Sequence, residues 1–226
     1  MKCCVVFDID GVLVDSYKGV PVFYTRILPE KLGIPREMGF LLYLYEMFAE
    51  GLGLLRIDWW RKKMQWIGDD ELRRLLDEYW ETRIKYSRLV PGAKTVLNKL
   101  QEKGYIVSSV SYMDDIPGLK YRRMEMMGLV ELFDDIVIAG ENTGSRIEGI
   151  EEVVRRHCCD RVFYVDDKPG NLLEIKNRLP WVITVNHRYI LEHGYSWMID
   201  VGYDYRVNNL FELVNIVNMV CSKTRR

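Results

Sequence analysis

The feature that most constrains the fold is an alternation that runs from residue 89 to the end of the chain. Short runs rich in β-branched and aromatic residues, such as YIVSSV at 105–110 and RVFYVDD at 161–167, alternate with amphipathic segments of helical period. A similar apolar run opens the chain at residues 3–9, and its continuity indicates a strand buried on both faces. Strands that alternate with helices predict a parallel sheet covered by helices on both sides.

One long segment breaks this alternation. Residues 17–88 carry helical patterns and no strand signal, as in DDELRRLLDEYWETRI at 69–84, whose apolar residues share one helical face. Because the segment follows the first strand, we expect it to form a helical cap inserted into the α/β domain. The predicted organisation is an α/β core of residues 1–16 and 89–226, built as a doubly wound parallel sheet, with an inserted helical cap domain of residues 17–88.

Charge and hydropathy exclude several classes of partner. The chain of 226 residues has a formal net charge of −1, so it offers no overall attraction to nucleic acid or to an anionic membrane. No apolar stretch reaches the roughly 20 residues that a membrane span needs, and the start of the chain lacks a secretory signal. We therefore expect a soluble, cytoplasmic protein with no nucleic-acid or membrane partner.

The segment RIDWWRKKMQW at 56–66 mixes aromatic and basic residues. Such interleaving is found in single-stranded nucleic-acid sites. The acid-rich helix that follows and the near-neutral net charge favour another interpretation, which is a buried aromatic stripe with a solvated basic face.

Polar side chains stand where the predicted strands end. Asp8 and Asp10 end the first strand, Ser111 follows the second, and Asp166 and Asp167 end the fourth. In open α/β sheets the active site lies outside the carboxyl ends of the strands. Clustered carboxylates suggest a hard cation such as Mg²⁺, which leaves room for phosphate oxygens. A carboxylate can also attack phosphorus, and a second one can exchange protons with the leaving group and with water.

These segments resemble the motifs of the haloacid dehalogenase (HAD) superfamily. VVFDIDGVLVDS at 5–16 is similar to the first motif, GYIVSSVS at 104–111 to the second and VFYVDDKPGN at 162–171 to the fourth. LVPGAKTVLNKLQEKGY at 89–105 resembles the helix that follows the cap in the phosphoglycolate-phosphatase-like branch. The resemblance covers essentially the whole chain and implies a HAD-like Rossmannoid core, a helical cap and a Mg²⁺-dependent phosphatase that acts on a small phosphorylated metabolite.

The resemblance also implies a role for each matched residue. Asp8 would be the nucleophile and a metal ligand, and Asp10 the general acid and base, with its backbone carbonyl on Mg²⁺. Asp167 would bind the metal directly, with Asp166 supporting the metal site from behind. The other members of the site would be Ser111 and Gly11 at the substrate phosphate, Lys120 as a substrate-binding cation, and Asn171 and Lys168 as supports of the acidic motif.

One departure from the family pattern concerns its third motif, which supplies a Lys, often as Lys-Pro, before the helix that leads to the fourth strand. The corresponding segment here is NTGSRIEGIEEV at 142–153, without Lys or Pro, so Arg146 is the nearest cation. Lys120 and Lys168 are the other candidates. A guanidinium is a planar fork rather than a compact charge, so the sequence leaves open which cation takes this catalytic role.

Three other functions fit the same motifs. A phosphosugar mutase would use the same first motif and a similar cap. A haloacid dehalogenase would share the nucleophile but needs neither a carboxylate at the position of Asp10 nor a metal. A non-catalytic ligand-binding protein would explain the missing third-motif Lys. The sequence identifies neither the substrate nor the oligomeric state.

The five Cys residues form no C-x-x-C pair, which argues against a zinc site. Cys3 and Cys4 open the first strand, and Cys158 and Cys159 precede the fourth. These strands are neighbours in the sheet of the HAD superfamily, so the resemblance implies that the two pairs can approach each other at the end of the sheet opposite Asp8. A disulfide between them would suit the cytosol of a hyperthermophile. The alternative is a set of buried, reduced thiols.

Several polar residues near these motifs have plainer interpretations. Asp15 is expected in a turn or a helix cap rather than at the metal. Ser111 also fits the N-cap of the following helix. His157, His187 and His193 lack the spacing of metal ligands and are expected to be structural or surface residues.

Overall fold

The structure is a computed structural model that describes residues 2–51, 53–189 and 202–222. The described chain forms two compact units. The first contains residues 2–15, 89–189 and 202–222, and the second contains residues 16–51 and 53–88. Within these ranges, the structure has no helix with the length and apolar character of a membrane span. His193 lies outside the described residues.

Six parallel strands form the sheet of the first unit. The strands of the described chain are β1 (Cys3–Phe7), β2 (Val14–Asp15), β3 (Arg88–Leu89), β4 (Ile106–Tyr112), β5 (Asp135–Ala139), β6 (Arg161–Asp166), β7 (Ile183–His187) and β8 (Tyr205–Val207). The large sheet has the order β5-β4-β1-β6-β7-β8, and every neighbouring pair in it is parallel. The two short strands β2 and β3 pair separately. The strand that opens the chain therefore lies in the middle of the sheet.

Helices follow the strands in the order that the sequence predicts. They are α1 (Gly19–Val22), α2 (Leu28–Leu32), α3 (Arg36–Gly51), α4 (Arg56–Lys63), α5 (Asp69–Tyr86), α6 (Ala93–Glu102), α7 (Leu119–Met126), α8 (Arg146–His157), α9 (Pro169–Arg178) and α10 (Leu210–Ser222). A π-helical turn, Phe23–Ile27, joins α1 to α2.

Side chains on both faces of the sheet are buried, which explains the continuous apolar run at the start of the chain. Val5 and Phe7 of β1 pack with residues of α6 and α10 in one hydrophobic cluster. Cys4 and Val6, on the opposite face, pack with residues of α8 and α9 in another. Successive strand residues point to opposite faces, so the doubly wound parallel sheet predicted from the sequence is confirmed.

The second unit is helical and has an aromatic interior. Trp59 and Trp60 of α4 are buried, whereas Trp66 is 60% exposed. The indole N–H of Trp60 donates to Tyr24 Oη at 2.9 Å, and the Tyr24 hydroxyl donates to the buried carboxylate of Glu46 at 3.0 Å. The predicted aromatic stripe is therefore correct for Trp59 and Trp60 and wrong for Trp66.

Two disulfides lie in the first unit. Cys4 pairs with Cys159, with 5.9 Å between the α-carbons, and Cys3 pairs with Cys221 of α10, with 6.5 Å between them. Cys158 has a free, exposed thiol. The hypothesis of a disulfide between the two Cys pairs is therefore correct for Cys4 and Cys159. Cys3 is instead joined to Cys221, which that hypothesis did not include.

The expectation that Asp15 lies in a turn or a helix cap is wrong. Asp15 belongs to the short strand β2 and is completely buried. Ser111 likewise lies inside β4, so the alternative interpretation of it as a helix N-cap is wrong.

Candidate active site

The three central strands carry the candidate site at their carboxyl ends. Asp8 directly follows β1, Ser111 lies near the end of β4, and β6 ends at Asp166. Because β1 pairs in parallel with both β4 and β6, the carboxyl ends of these strands share one edge of the sheet. The amide N–H of Asp8 donates to the Val165 carbonyl at 2.9 Å, which holds the two acidic segments side by side.

Three buried carboxylates meet at this edge. Asp8, Asp166 and Asp167 each offer an oxygen, and these oxygens lie within 4.8 Å of one another. The residues are 7%, 0% and 8% exposed. Like charges at this distance repel, and burial removes the water that would screen them. A donor set made only of carboxylate oxygens fits a hard divalent cation such as Mg²⁺.

The environment of Asp8 disfavours its charged form. Burial raises the pKa of the Asp8 carboxyl to about 7, and the negative charge of Asp166 adds to this effect. The positive charges of Arg146 and Lys120 oppose it. The Asp8 carboxyl is therefore poised between its protonated and ionised forms near neutral pH.

Asp166 and Asp167 differ in their surroundings. The carboxylate of Asp166 accepts hydrogen bonds from the Lys168 amide at 2.8 Å, the Tyr164 hydroxyl at 3.1 Å and the Asn171 side-chain amide at 2.9 Å. The carboxylate of Asp167 packs against the α-carbon of Gly11. Protein donors therefore fix Asp166 in place.

Asp10 belongs to a second cluster of charges. Its carboxylate accepts hydrogen bonds from the Lys120 ammonium and from both terminal nitrogens of Arg123. Lys120 and Arg123 also form ion pairs with Asp114, each at 2.9 Å. All four side chains are buried. The cluster contains two cations and two carboxylates, so its formal charges balance.

Arg146 begins α8, close to the carboxylates. Ser145 caps the helix by accepting a hydrogen bond from the Glu148 amide at 3.2 Å. Burial works against the guanidinium charge, but Tyr164, Asp8 and Asp166 outweigh it and raise the Arg146 pKa above its ordinary value. Its Nε–H has no hydrogen-bond partner among the described residues. The Nε–H of Arg146 is therefore a hydrogen-bond donor close to the charged groups around Asp8.

Ser111 is buried at the same edge of the sheet. It pairs with Ile138 of β5, and its side chain is fully shielded from solvent. Within the described ranges, no group forms a hydrogen bond with its hydroxyl. A buried polar atom without a partner is costly, so a ligand oxygen at this position would stabilise it.

Several contacts of the site were not predicted from the sequence. Arg123 and Asp114 hold Asp10, Tyr164 holds Asp166, and the Asn186 side chain donates to the Asp167 carbonyl at 3.0 Å. Two of these residues, Arg123 and Tyr164, could have been identified from the sequence. Arg123 is three residues after Lys120 on one helix, and Tyr164 is two residues before Asp166 on one strand, so each shares a face with a predicted site residue.

His187 is also closer to the site than expected. It is buried at the end of β7, and its Nδ1–H donates to the Gly11 carbonyl at 3.2 Å. Burial lowers the pKa of His187 to about 4. His187 is therefore neutral near pH 7 and supports the backbone next to Asp10. His157 instead contacts Asp135 at 3.3 Å.

Comparisons with known proteins agree with this geometry. The model of the haloacid dehalogenase-like hydrolase family matches residues 4–173. No curated protein matches the chain significantly.

Solved structures with the same fold cover nearly the whole chain. A haloacid dehalogenase-like hydrolase of Streptococcus pneumoniae aligns with a TM-score of 0.66 and 16% identity, covering 96% of this chain and 98% of its own. A predicted phosphoglycolate phosphatase of Haemophilus somnus gives 0.68 and 18%, with coverages of 94% and 96%. A protein of Thermotoga maritima described as a β-phosphoglucomutase gives 0.60 and 18%, with coverages of 97% and 100%. At these identities the likeness establishes the fold alone.

Proposed function

Because the chain belongs to the haloacid dehalogenase-like hydrolase family, whose model matches residues 4–173, we propose that it is a Mg²⁺-dependent phosphatase. Its substrate is a small phosphorylated metabolite, and the reaction passes through a phosphoryl group bonded to Asp8. The observation that carries the proposal is the position of Asp8. The residue lies at the carboxyl edge of the sheet, where two further carboxylates lie close to it and the positive charges of Arg146 and Lys120 act on it.

In the first half of the proposed reaction, an Asp8 oxygen forms a bond to phosphorus as the bond to the ester oxygen breaks. Asp10 donates a proton to that leaving oxygen. In the second half, Asp10 accepts a proton from water, whose oxygen bonds to phosphorus as the bond to Asp8 breaks. Inorganic phosphate leaves, and both carboxylates return to their starting state.

Asp8, Asp167 and the Asp10 backbone carbonyl are the proposed Mg²⁺ ligands, with Asp166 supporting them. When bound, Mg²⁺ would offset the charge of the carboxylates and of the phosphoryl oxygens. The hydrogen bonds on Asp166 support this division of roles, because its oxygens are already engaged by Lys168, Tyr164 and Asn171.

Ser111 and Arg146 are proposed to bind the phosphoryl group. The buried hydroxyl of Ser111 would donate to one of its oxygens, and the Arg146 guanidinium would offset the charge that develops on the others. Arg146 fits the role of the missing third-motif Lys better than Lys120, because Lys120 is paired with Asp10 and Asp114. Residues 17–88 are proposed to be the cap that selects the substrate.

The test is a screen for phosphate release across a panel of phosphorylated metabolites, with and without Mg²⁺. We expect activity with wild type, none above background with Asp8→Asn, and full activity with Asp77→Asn, an exposed aspartate on α5. Activity that survives Asp8→Asn would refute the mechanism.

A phosphosugar mutase is the second candidate, because the β-phosphoglucomutase-like structure from Thermotoga maritima covers this chain almost completely. The two activities differ in the fate of the phosphoryl group on Asp8, which a mutase returns to another sugar hydroxyl. Product analysis separates them. Isomerised sugar phosphate without release of inorganic phosphate would favour the mutase.

A further inference from the structure

Arg123 contacts the Asp10 carboxylate at two points. Its Nη2 lies 2.5 Å from Oδ1, and its Nη1 lies 3.2 Å from Oδ2. This parallel pairing of a guanidinium with a carboxylate fixes the plane of the carboxylate as well as its position. A single point charge would leave that plane free to rotate.

Asp114 fixes the guanidinium in turn. Its Oδ2 accepts a hydrogen bond from Arg123 Nη1 at 2.9 Å, and its Oδ1 lies 2.9 Å from Lys120 Nζ. Asp10, Asp114, Lys120 and Arg123 are 7%, 4%, 5% and 5% exposed. Hydrogen bonds between charges are strengthened where water is excluded, so the cluster forms a rigid support.

We propose that Arg123, held by Asp114, is a positioning residue that orients Asp10 for proton transfer. Asp10 lies three residues after the end of β1, where it forms a β-bridge with Val14, and its side chain is short. General acid catalysis requires the donor oxygen to lie within hydrogen-bond distance of the leaving oxygen. Arg123 restricts the Asp10 carboxylate to one orientation, so that the distance from its oxygen to the leaving oxygen does not vary with the side-chain rotamer. The inference rests on the proposed function, because it takes Asp10 as the proton donor.

The test uses two esters that differ in their need for a proton. The leaving group of 4-nitrophenyl phosphate departs with little help, whereas the alkoxide of propyl phosphate needs a proton. We compare kcat/KM for both esters in wild type, Arg123→Met, Asp10→Asn and Arg122→Met. Arg122 is the matched control, because it is the neighbouring arginine on α7 and is exposed.

The expected loss in Arg123→Met is about 100-fold with propyl phosphate and less than about 10-fold with 4-nitrophenyl phosphate, a pattern shared with Asp10→Asn. Arg122→Met should leave both values unchanged. In the Asp10→Asn background, Arg123→Met should add little further loss, since it acts through Asp10. The proposal would be overturned if Arg123→Met lowered kcat/KM equally with both esters. It would also be overturned if Arg123→Met lowered kcat/KM as much in the Asp10→Asn variant as in wild type.

Two further experiments cover other outcomes. If Arg123→Met does not fold, the nearly isosteric Asp114→Asn takes its place in the same comparison, with the same selective loss expected. A crystal structure of the folded variant gives a readout independent of activity. A displaced Asp10 carboxylate is expected, and an unmoved one overturns the inference. If wild type hydrolyses neither ester and no phosphorylated metabolite, the proposed function fails, while the crystal structure still decides whether Arg123 positions Asp10.

Discussion

The carboxylate of Asp167 lies directly over the α-carbon of Gly11. A β-carbon added to Gly11 would stand 2.2 Å from Asp167 Oδ2, and the Gly11 backbone has a φ of +79°. Two separate constraints therefore require glycine here: the left-handed backbone and the close approach of a proposed metal ligand.

Gly11→Ala separates these constraints. We expect it to lower kcat/KM by about 100-fold or more, because Asp167 must move away from the new methyl group. Gly104→Ala is the matched control, since Gly104 has a φ of +76° and no atom within 4 Å of the added carbon. Both variants should lose about 1–2 kcal/mol of folding free energy from backbone strain. Steady-state kinetics and denaturant unfolding measure the two effects, and equal kinetics in both variants would contradict the prediction.

Arg146→Met should lower kcat by about 100- to 1,000-fold, because the guanidinium no longer offsets charge on the transferred phosphoryl group. Arg146→Lys should retain more activity than Arg146→Met, since it keeps the positive charge. Arg155→Met is the control, because this arginine lies on the same helix with its side chain 71% exposed. Retention of wild-type kcat by Arg146→Met would assign the cationic role to another residue.

Mg²⁺ binding should be linked to one proton on Asp8. The carboxyl has a pKa of about 7 in the metal-free protein, and the ion competes with that proton. Affinity should therefore weaken by about tenfold for each pH unit below 7 and level off above it. Calorimetric titrations at pH 6 in two buffers of different ionisation enthalpy measure the released proton. In Asp8→Asn this proton should be absent, and an unchanged value there would contradict the assignment.

His187 should make stability depend on pH. Its pKa falls from 6.5 to about 4 on folding, so the unfolded chain binds the proton more tightly than the folded one. The stability that this group contributes is fully present above pH 6.5 and is lost as pH falls toward 4. At pH 4.5 the loss is about 2–3 kcal/mol relative to pH 7.5.

The measurement is a denaturant titration at both pH values for wild type, His187→Asn and His157→Asn. Asparagine at position 187 keeps a donor for the Gly11 carbonyl but does not titrate in this range. We expect His187→Asn to show a smaller fall in stability than wild type, and His157→Asn to behave like wild type. The same fall in all three proteins would rule out His187 as its source.

The two disulfides predict how many thiols react in the unfolded protein. The unfolded, unreduced protein should show one reactive thiol, Cys158, and the reduced protein should show all five. Five thiols without reduction would exclude both bonds. Cys159→Ser should cost about 2–5 kcal/mol of stability by opening the Cys4–Cys159 loop. Cys158→Ser should cost little, because this thiol is free and exposed.

Much of the fold and part of the candidate site were predictable, because local pattern decides them. A buried parallel strand requires a continuous apolar run, and the run at 3–9 delivers Asp8 to the edge of the sheet. β7 shows the limit of such patterns. It lies at Ile183–His187 and ends in two polar residues, Asn186 and His187, which are buried by tertiary contacts. β8, with Arg206 at its centre, is too short to produce a strand pattern.

The charged cluster at Asp10 shows why the rest could not be predicted. The spacing of Lys120 and Arg123 placed both on one face of a helix. Nothing in the sequence stated that this face meets a carboxylate 110 positions away. The partner of Cys3 poses the same problem, since it depends on where α10 ends against the sheet. Such contacts depend on how the helices and strands pack against one another. Local sequence patterns do not show this packing, so the contacts cannot be predicted from them.

The bond between Cys3 and Cys221 converts the intervening chain into a covalent ring closed across 218 positions. A single proteolytic cut within that ring would not divide the molecule. The nicked protein would migrate as one species on a non-reducing gel and as two fragments after reduction. The oxidised protein can therefore be opened at an exposed turn while the disulfide keeps the two resulting segments covalently joined.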